Sequence, residues 1–351
     1  MNKFEFKPEE RLSYKIDRRN FLRSGLLLSS GALFAGLENC NGDQGKAAVS
    51  SRSSTSSKSK IVIARNDLVR NAKGKLDSEQ VGKLLDEALR SYYGITSLDQ
   101  IWRKIVRPDD VVGIKVNCLA GKGISSSPEL VAAIVEGVQR AGVRANRIVI
   151  WDRLADDLER AGFSINTGGG GVRCYGNDQA GYTNDIIMSG SIGSLLSRTV
   201  TDHCSAIINV PILKDHGIVG VTIALKNFFG AIHNPNKYHH NAGDPYIADV
   251  NLIPAIRNKV RITICDALTC QYEGGPPYMP QWSWNYNGLL VGQDMVALDH
   301  LGWQIIEEKR KEKGLPSLKE VGREPTYIAT AADQDHRLGT NDPNKMEVIR
   351  I

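Results

Sequence analysis

Short apolar runs alternate along the chain with longer segments whose apolar residues recur at helical spacing. The short runs are rich in β-branched residues and predict strands: Ile61–Ala64, Val111–Val116, Arg147–Trp151, Ala206–Leu213, Arg261–Cys265 and Leu289–Val291. The longer segments predict helices: Ser78–Tyr93, Ser127–Gly142, Ile218–Phe229 and Asp294–Lys313. Met346–Ile351 could close the sheet. This order is typical of an α/β fold with a mostly parallel sheet and helices on both faces.

Two helix starts carry a recognisable signal, and one segment breaks the alternation. Ser78 is a candidate N-cap, and Ser127 followed by Pro128 is typical of an N-cap and a first helical residue. The stretch Gly168–Ser191 opens with four consecutive glycines and continues with polar residues, which predicts an irregular Gly-rich excursion. It is either a mobile loop or a phosphate cradle, although it lacks the strand–GxGxxG–helix context of a dinucleotide site.

The first forty residues have the features of an export signal. The stretch Asp17–Arg23, with arginines at 18 and 19, resembles the twin-arginine consensus, apart from Asp17 and Arg23 at its ends. The apolar run Gly25–Leu37 would span only about 20 Å as a helix, which is too short for a bilayer core. We therefore expect a leader at residues 1–40, a Ser/Gly/Lys-rich tether at 41–60 and one α/β domain at 61–351. The expected location is periplasmic or otherwise extracytoplasmic, with the twin-arginine translocase as a partner during export.

The end of the leader allows two outcomes. Cys40 lies just beyond the apolar run, where a lipid-anchored cysteine would lie. However, Leu37, Glu38 and Asn39 are larger than the small residues expected before a lipidated cysteine, and Ser30–Ala32 is an alternative cleavage site. A membrane tether through Cys40 and removal of Cys40 both stay open.

Composition narrows the classes of partner and cofactor. The net charge is +5, and it includes the basic leader, so no nucleic-acid surface is expected. The six cysteines contain no CxxC spacing, which argues against an intrinsic iron–sulfur cluster or a zinc ribbon. Any cofactor stays unknown at this level.

Polar residues follow several predicted strands at their carboxyl ends, which is where open parallel sheets bind ligands. They are Lys115, Asn117, Asp152, Lys214, His216 and Asp266. Each one alone could be a turn former or a helix cap. Their recurrence at one end of successive strands predicts a shared cleft.

The segment from 202 to 240 holds five of the seven histidines of the chain, together with Lys214, Lys226 and Asn227. Imidazole is a frequent metal ligand and acts as an acid or base near neutral pH. His216, His239 and His240 are therefore candidate metal ligands. Alternatively, Lys214, His216 and Lys226 line a pocket for an anion. A plainer interpretation makes His239 and His240 exposed loop residues and His216 a cap.

Several stretches together resemble the family known as domain of unknown function 362. The stretch Asn209–Gly217 matches a strand followed by K-x-H, and Gly220–Gly230 matches G-V-T-x-A-x-K-N-x-x-G. Further matches occur at Lys115–Asn117, Ser127–Val131, Trp151–Asp152, His239–His240, Asp266–Leu268, Glu273–Pro276 and Gln293–Asp299. The resemblance implies export in many members and a fused ferredoxin module in some, which we do not expect here because the cysteines contain no CxxC spacing. It implies no substrate.

The sequence thus supports three hypotheses. The first is an exported enzyme of unassigned reaction that binds an anionic small molecule, with His216, Lys214 and Lys226 as catalytic candidates. In this hypothesis the remaining ligand-binding candidates are Lys115, Asn117, Asp152, Asn227, Asp266 and Glu273. The second is a metal- or redox-cofactor-linked protein, and the third is a non-catalytic extracytoplasmic binding protein.

Overall fold

A computed structural model of the protein describes residues 58–351. The predicted leader, most of the predicted tether and Cys40 lie outside these residues. None of the described helices is long and apolar enough to cross a membrane.

The strands in chain order are β1 Ser59–Arg65, β2 Val112–Lys115, β3 Ile148–Asp152, β4 Arg173–Gly176, β5 Ile187–Ser189, β6 Ile192–Ser194, β7 Ala206–Asn209, β8 Ile212–His216, β9 Gly220–Thr222, β10 Val260–Gln271, β11 Ser283–Gly292 and β12 Met346–Arg350. The α-helices are α1 Ser78–Tyr93, α2 Leu98–Ile105, α3 Pro128–Arg140, α4 Ala155–Ala161, α5 Asn177–Ala180, α6 Tyr246–Leu252, α7 Pro254–Arg257, α8 Met295–Glu312 and α9 Tyr327–Ala332.

The main sheet runs in the order β12-β1-β11-β10-β7-β2-β3-β4, and β8 joins β10 beyond the end of β7. Most neighbours are parallel, whereas β11 is antiparallel to both β1 and β10. β9 folds back on β8 as an antiparallel hairpin. The α/β prediction with a mostly parallel sheet is confirmed.

Alternate strand residues face the two sides of the sheet, as the strand period of two requires. Val62 packs with the apolar faces of α1, α2 and α3, including the buried Trp102 of α2. Ile61 and Ile63 pack on the opposite side, with α6, α8 and α9. Helices therefore cover both faces, and the central strands are buried.

Three predicted strands have different bounds in the structure. Ala206–Leu213 is not one strand, because the chain changes course at Val210–Pro211 between β7 and β8. Pro211 has no N–H to donate, but its carbonyl accepts from Asp266 N at 2.8 Å. Conversely, Arg261–Cys265 and Leu289–Val291 are parts of the longer strands β10 and β11.

The helix prediction for Ile218–Phe229 was wrong. The segment forms β9 and then a 3₁₀-helix at Lys226–Ala231. Gly220 has φ +84°, which suits the hairpin turn and not a helix. The carboxylate of Asp299 in α8 accepts from Ala224 N at 2.7 Å and from Leu225 N, so these amides bond outside any helix.

Local signals gave mixed results. Asp77, not Ser78, caps α1, because its side chain accepts from the N–H groups of Glu79 and Gln80. α3 starts as predicted, with Pro128 first and Ser127 before it. The predicted irregular excursion at 168–191 also contains regular structure, because it contributes β4 to the edge of the sheet and β5 to the β5–β6 hairpin.

Candidate functional site

The carboxyl ends of β2, β3 and β8 meet around a cavity of about 400 Å³. Of the residues predicted to carry function, eight line it: Lys115, Asn117, Asp152, Lys214, His216, Lys226, Asn227 and His239. Lys115, Asp152 and His216 reach the cavity because each is the last residue of its strand. The 3₁₀-helix Lys226–Ala231 and the 3₁₀-helix Pro235–Tyr238 complete one wall.

A hydrogen-bonded group of buried side chains forms the floor. Lys115 Nζ donates to Asp152 Oδ1 at 2.8 Å and to Asn227 Oδ1 at 3.1 Å. Asp152 Oδ2 accepts from Cys118 N at 2.7 Å, and Asn227 Nδ2 donates to Asn209 Oδ1 at 2.8 Å. Buried ion pairs with this many additional hydrogen bonds fix geometry more than they add stability. The arrangement holds Lys115 as a paired cation.

Gly230 packs closely against this pair. A Cβ added there would lie 2.9 Å from Lys115 Nζ and 3.0 Å from Asp152 Oδ1. Any larger residue would therefore push against the ion pair.

Lys214 is buried and faces a backbone carbonyl instead of a carboxylate. Its Nζ donates to Pro276 O at 3.1 Å. The loop that presents this carbonyl is fixed by Asp215, which accepts from Gly275 N at 3.0 Å. Burial lowers the pKa of Lys214 to about 8, although the negative charge of Asp215 raises it in part. Lys214 is therefore a cation that loses its proton readily.

Lys226 and His239 form a defined donor–acceptor pair. His239 Nδ1 lies 3.0 Å from Pro235 O, and because a carbonyl only accepts, Nδ1 carries the proton. Nε2 is then an acceptor, and Lys226 Nζ lies 3.2 Å from it. Burial and the neighbouring cations Lys214 and Lys115 lower the pKa of Lys226 to about 7. Burial and Lys226 lower the pKa of His239 to about 4, so the imidazole stays neutral.

His216 has a different position from the one expected of an acid–base group. Its Nδ1 accepts from Ile218 N at 3.2 Å and Val219 N at 3.4 Å, so it caps the β8–β9 turn. Its ring stacks on His239 with centroids 5.3 Å apart. Burial, Lys226 and His239 lower its pKa far below the ordinary value. The neutral ring therefore offers an Nε2–H donor.

Three predicted residues do not line the cavity. Asp266 Oδ2 accepts from Ser127 N at 2.8 Å and from Ser127 Oγ at 2.7 Å, so it anchors the start of α3. Glu273 pairs with Arg310 and with Arg323, and it holds the loop before Pro276. His240 lies outside the lining, in an exposed position. The strand-end pattern could not reveal the partners of Asp266 and Glu273, because these partners lie in distant parts of the chain.

Residues that the sequence did not single out also line the cavity, among them Arg153, Asp157, Thr222 and Asn236. Asn117 Oδ1 and Thr222 Oγ1 are buried atoms without a hydrogen-bond partner. Arg153 directly follows Asp152, so the strand-end rule could have found it. Among residues 58–351, no group of three or more His, Cys, Asp or Glu side chains is placed to hold a metal ion.

Comparisons with known proteins give a family and a distant structural similarity. The family model described as "Domain of unknown function (DUF362)" matches residues 112–304, more than half of the 351 residues. No curated protein matches the chain. A crystal structure of a Thermotoga maritima protein, a target of the Northeast Structural Genomics Consortium, is similar with 11% identity and a TM-score of 0.40. The match covers 68% of this chain and 60% of that chain, which is under two thirds of that protein.

Proposed function

The chain belongs to the family described as Domain of unknown function (DUF362), and we propose that it is an enzyme whose cleft binds a small organic anion. One observation carries this proposal. Lys214 and Lys226 both face the cavity and are buried, and neither forms an ion pair with any residue between 58 and 351.

The charge balance of the lining supports an anionic ligand. Four basic side chains line the cavity, namely Lys115, Lys214, Lys226 and Arg153, against the two carboxylates Asp152 and Asp157. Both carboxylates are already paired, with Lys115 and with Arg160. A buried ammonium group without a counter-charge is unfavourable, and a bound carboxylate or phosphate would remove that penalty.

The Lys226–His239 pair supplies the chemistry we propose. Lys226 exchanges its proton near neutral pH, which is where a general acid or base is most effective. His239 accepts a hydrogen bond from Lys226 and orients it. His216 and Lys214 then hold the anion as donors, which replaces the acid–base role that the sequence predicted for His216. The reaction class is proton transfer to or from the bound anion.

The test is a titration of the purified full-length protein with phosphate, sulfate, acetate and pyruvate, followed by thermal unfolding. Binding to the native state alone raises the melting temperature with ligand concentration. We expect at least one anion to stabilise the protein, and Lys214→Met and Lys226→Met to weaken that effect at least tenfold in apparent affinity. Lys237→Met, an exposed lysine of the neighbouring 3₁₀-helix, is the control. Equal stabilisation of all variants, or no response to any of the anions, would refute the anion pocket.

We also propose that the protein is exported by the twin-arginine route. The support is the sequence Asp17–Arg23 followed by the apolar run Gly25–Leu37. Changing Arg18 and Arg19 together to Lys should leave the protein in the cytoplasmic fraction, whereas the unchanged protein is recovered outside the cytoplasm. Unchanged fractionation of the double variant would contradict this route.

A further inference from the structure

Two exposed aliphatic side chains, one leucine and one isoleucine, line the same cavity as the buried lysines. Leu119 is 49% exposed and Ile218 is 54% exposed, and both line the cavity. Leu119 lies in the loop that follows β2, and Ile218 lies in the turn between β8 and β9. Neither side chain packs into the two cores of the sheet. Both side chains are therefore free to contact a ligand that occupies the cavity.

The cavity therefore has two chemically different parts. Its inner part contains the ammonium groups of Lys214 and Lys226 and the imidazole of His239. Lys226 bonds to His239, and Lys214 bonds to a backbone carbonyl. Its exposed part contains the side chains of Leu119 and Ile218. Pockets for small molecules commonly combine a few placed polar groups with an apolar lining in this way.

From this arrangement we infer that the ligand is amphiphilic, with a carboxylate or phosphate head among Lys214, Lys226 and His216 and an apolar chain against Leu119 and Ile218. This inference rests on the proposed anion pocket and specifies its substrate class. A small, fully polar anion would leave both rim side chains in water. An apolar chain would cover them and gain from the removal of apolar surface from water.

The size of the cavity sets the scale of the ligand. A volume of about 400 Å³ is within the range of small-molecule pockets and admits a head group with a short chain. A methylene group that becomes buried contributes about 0.8 kcal/mol, which is roughly a fourfold change in affinity. Because the rim is half-exposed, we expect roughly two- to fourfold tighter binding per added methylene over the first few carbons.

The experiment measures affinity along two matched series by calorimetry, the alkanoates from acetate to octanoate and the alkyl phosphates from methyl to octyl phosphate. The two series separate the carboxylate head from the phosphate head. In the native full-length protein, affinity should rise with chain length in at least one series. The variant Leu119→Ser with Ile218→Ser should flatten that rise and leave the affinity for the shortest member within about twofold.

The chain supplies a matched control. Leu68 is 67% exposed, lies in the 3₁₀-helix Asp67–Val69 and does not line the cavity. Leu68→Ser should keep the full dependence on chain length. Circular dichroism and thermal unfolding would confirm that all three proteins fold, which is expected because exposed substitutions change stability little.

The outcomes separate this inference from the proposed function. Binding of short and long anions with equal affinity would overturn the amphiphilic ligand and leave the anion pocket standing. A rise with chain length that the Leu119 and Ile218 variant retains would also overturn it, because the chain would then contact another surface. If no member of either series binds, the anion pocket itself fails.

Discussion

Replacing Lys226 by Met should make the protein more stable at pH 6, although it removes a side chain that we place at the centre of the function. The reason is the pKa of Lys226, which burial and the cations Lys214 and Lys115 lower from an ordinary 10.5 to about 7. The folded protein therefore binds this proton less tightly than the unfolded chain does. Methionine has a similar length and carries no charge, so it avoids that penalty.

The magnitude follows from the two pKa values. The two pKa values differ by about 3.5, and each pKa unit corresponds to about 1.36 kcal/mol. Below pH 7 the buried charge therefore lowers the free energy of unfolding by about 5 kcal/mol. The variant also loses the hydrogen bond between Lys226 Nζ and His239 Nε2, which contributes about 1 kcal/mol. We therefore expect a gain of up to about 4 kcal/mol in the free energy of unfolding at pH 6.

The sign of the pH dependence is fixed by the same values. Below pH 7 Lys226 is protonated in both states, and the penalty on the folded state is fully present. Between pH 7 and 10.5 the unfolded chain binds the proton and the folded protein does not, so native stability rises with pH. The advantage of Lys226→Met should consequently shrink by roughly 3 kcal/mol between pH 6 and pH 9.

The assay is urea unfolding of both proteins at pH 6, 7.5 and 9 in a chloride buffer without phosphate or carboxylate. Lys237→Met tests whether removal of an exposed lysine has the same effect, which it should not. If Lys226→Met is equally or less stable at pH 6, or if its difference from the native protein is the same at all three pH values, the reasoning fails. Lys226 would then be hydrated or paired, and the main support for an anionic ligand would be lost.

Two further predictions concern the framework of the site and can be measured by the same unfolding method. Asp152→Asn leaves the buried charge of Lys115 without its partner and should reduce the free energy of unfolding by about 3–5 kcal/mol. Asp156→Asn, at an exposed ion pair of α4, should change it by less than about 0.5 kcal/mol. Similar losses in both variants would contradict the burial argument. Gly137→Ala in α3 brings a Cβ within 2.0 Å of the buried tryptophan of α2 and should reduce stability by about 1–3 kcal/mol, whereas Gly82→Ala in α1 has 3.8 Å of space and should gain about 0.5–1 kcal/mol. Shifts in the same direction would refute this packing argument.

The sequence predicted those features that depend on short-range patterns. Apolar β-branched runs located most of the strands, and the strand-end rule selected Lys115, Asp152 and His216, which end β2, β3 and β8 and line one cavity. These predictions work because neighbouring residues determine strand burial, and because the direction of parallel strands determines which ends share an edge.

The failures depend on contacts between distant parts of the chain. The apolar segment Ile218–Phe229 predicted a helix, but the side chain of Asp299 accepts hydrogen bonds from the amides of Ala224 and Leu225, which lie 75 and 74 residues away. Glu273 follows β10, yet its carboxylate forms ion pairs with Arg310 and Arg323 and does not line the cavity. No local pattern reveals such partners, and tertiary contacts regularly override local propensity.

These long-range contacts also explain how Lys214 and Lys226 are positioned without a carboxylate partner. Asp299 holds the backbone just before Lys226, and Asp215 holds the loop whose Pro276 carbonyl contacts Lys214. Both carboxylates act on backbone N–H groups and form no ion pair with Lys226 or Lys214 in the described part of the chain. Each lysine is thus positioned without being neutralised, in contrast to Lys115, which pairs directly with Asp152. A fold that only needed to fill this space could use apolar side chains at lower free energy, and this is the reason for which we propose a negatively charged ligand.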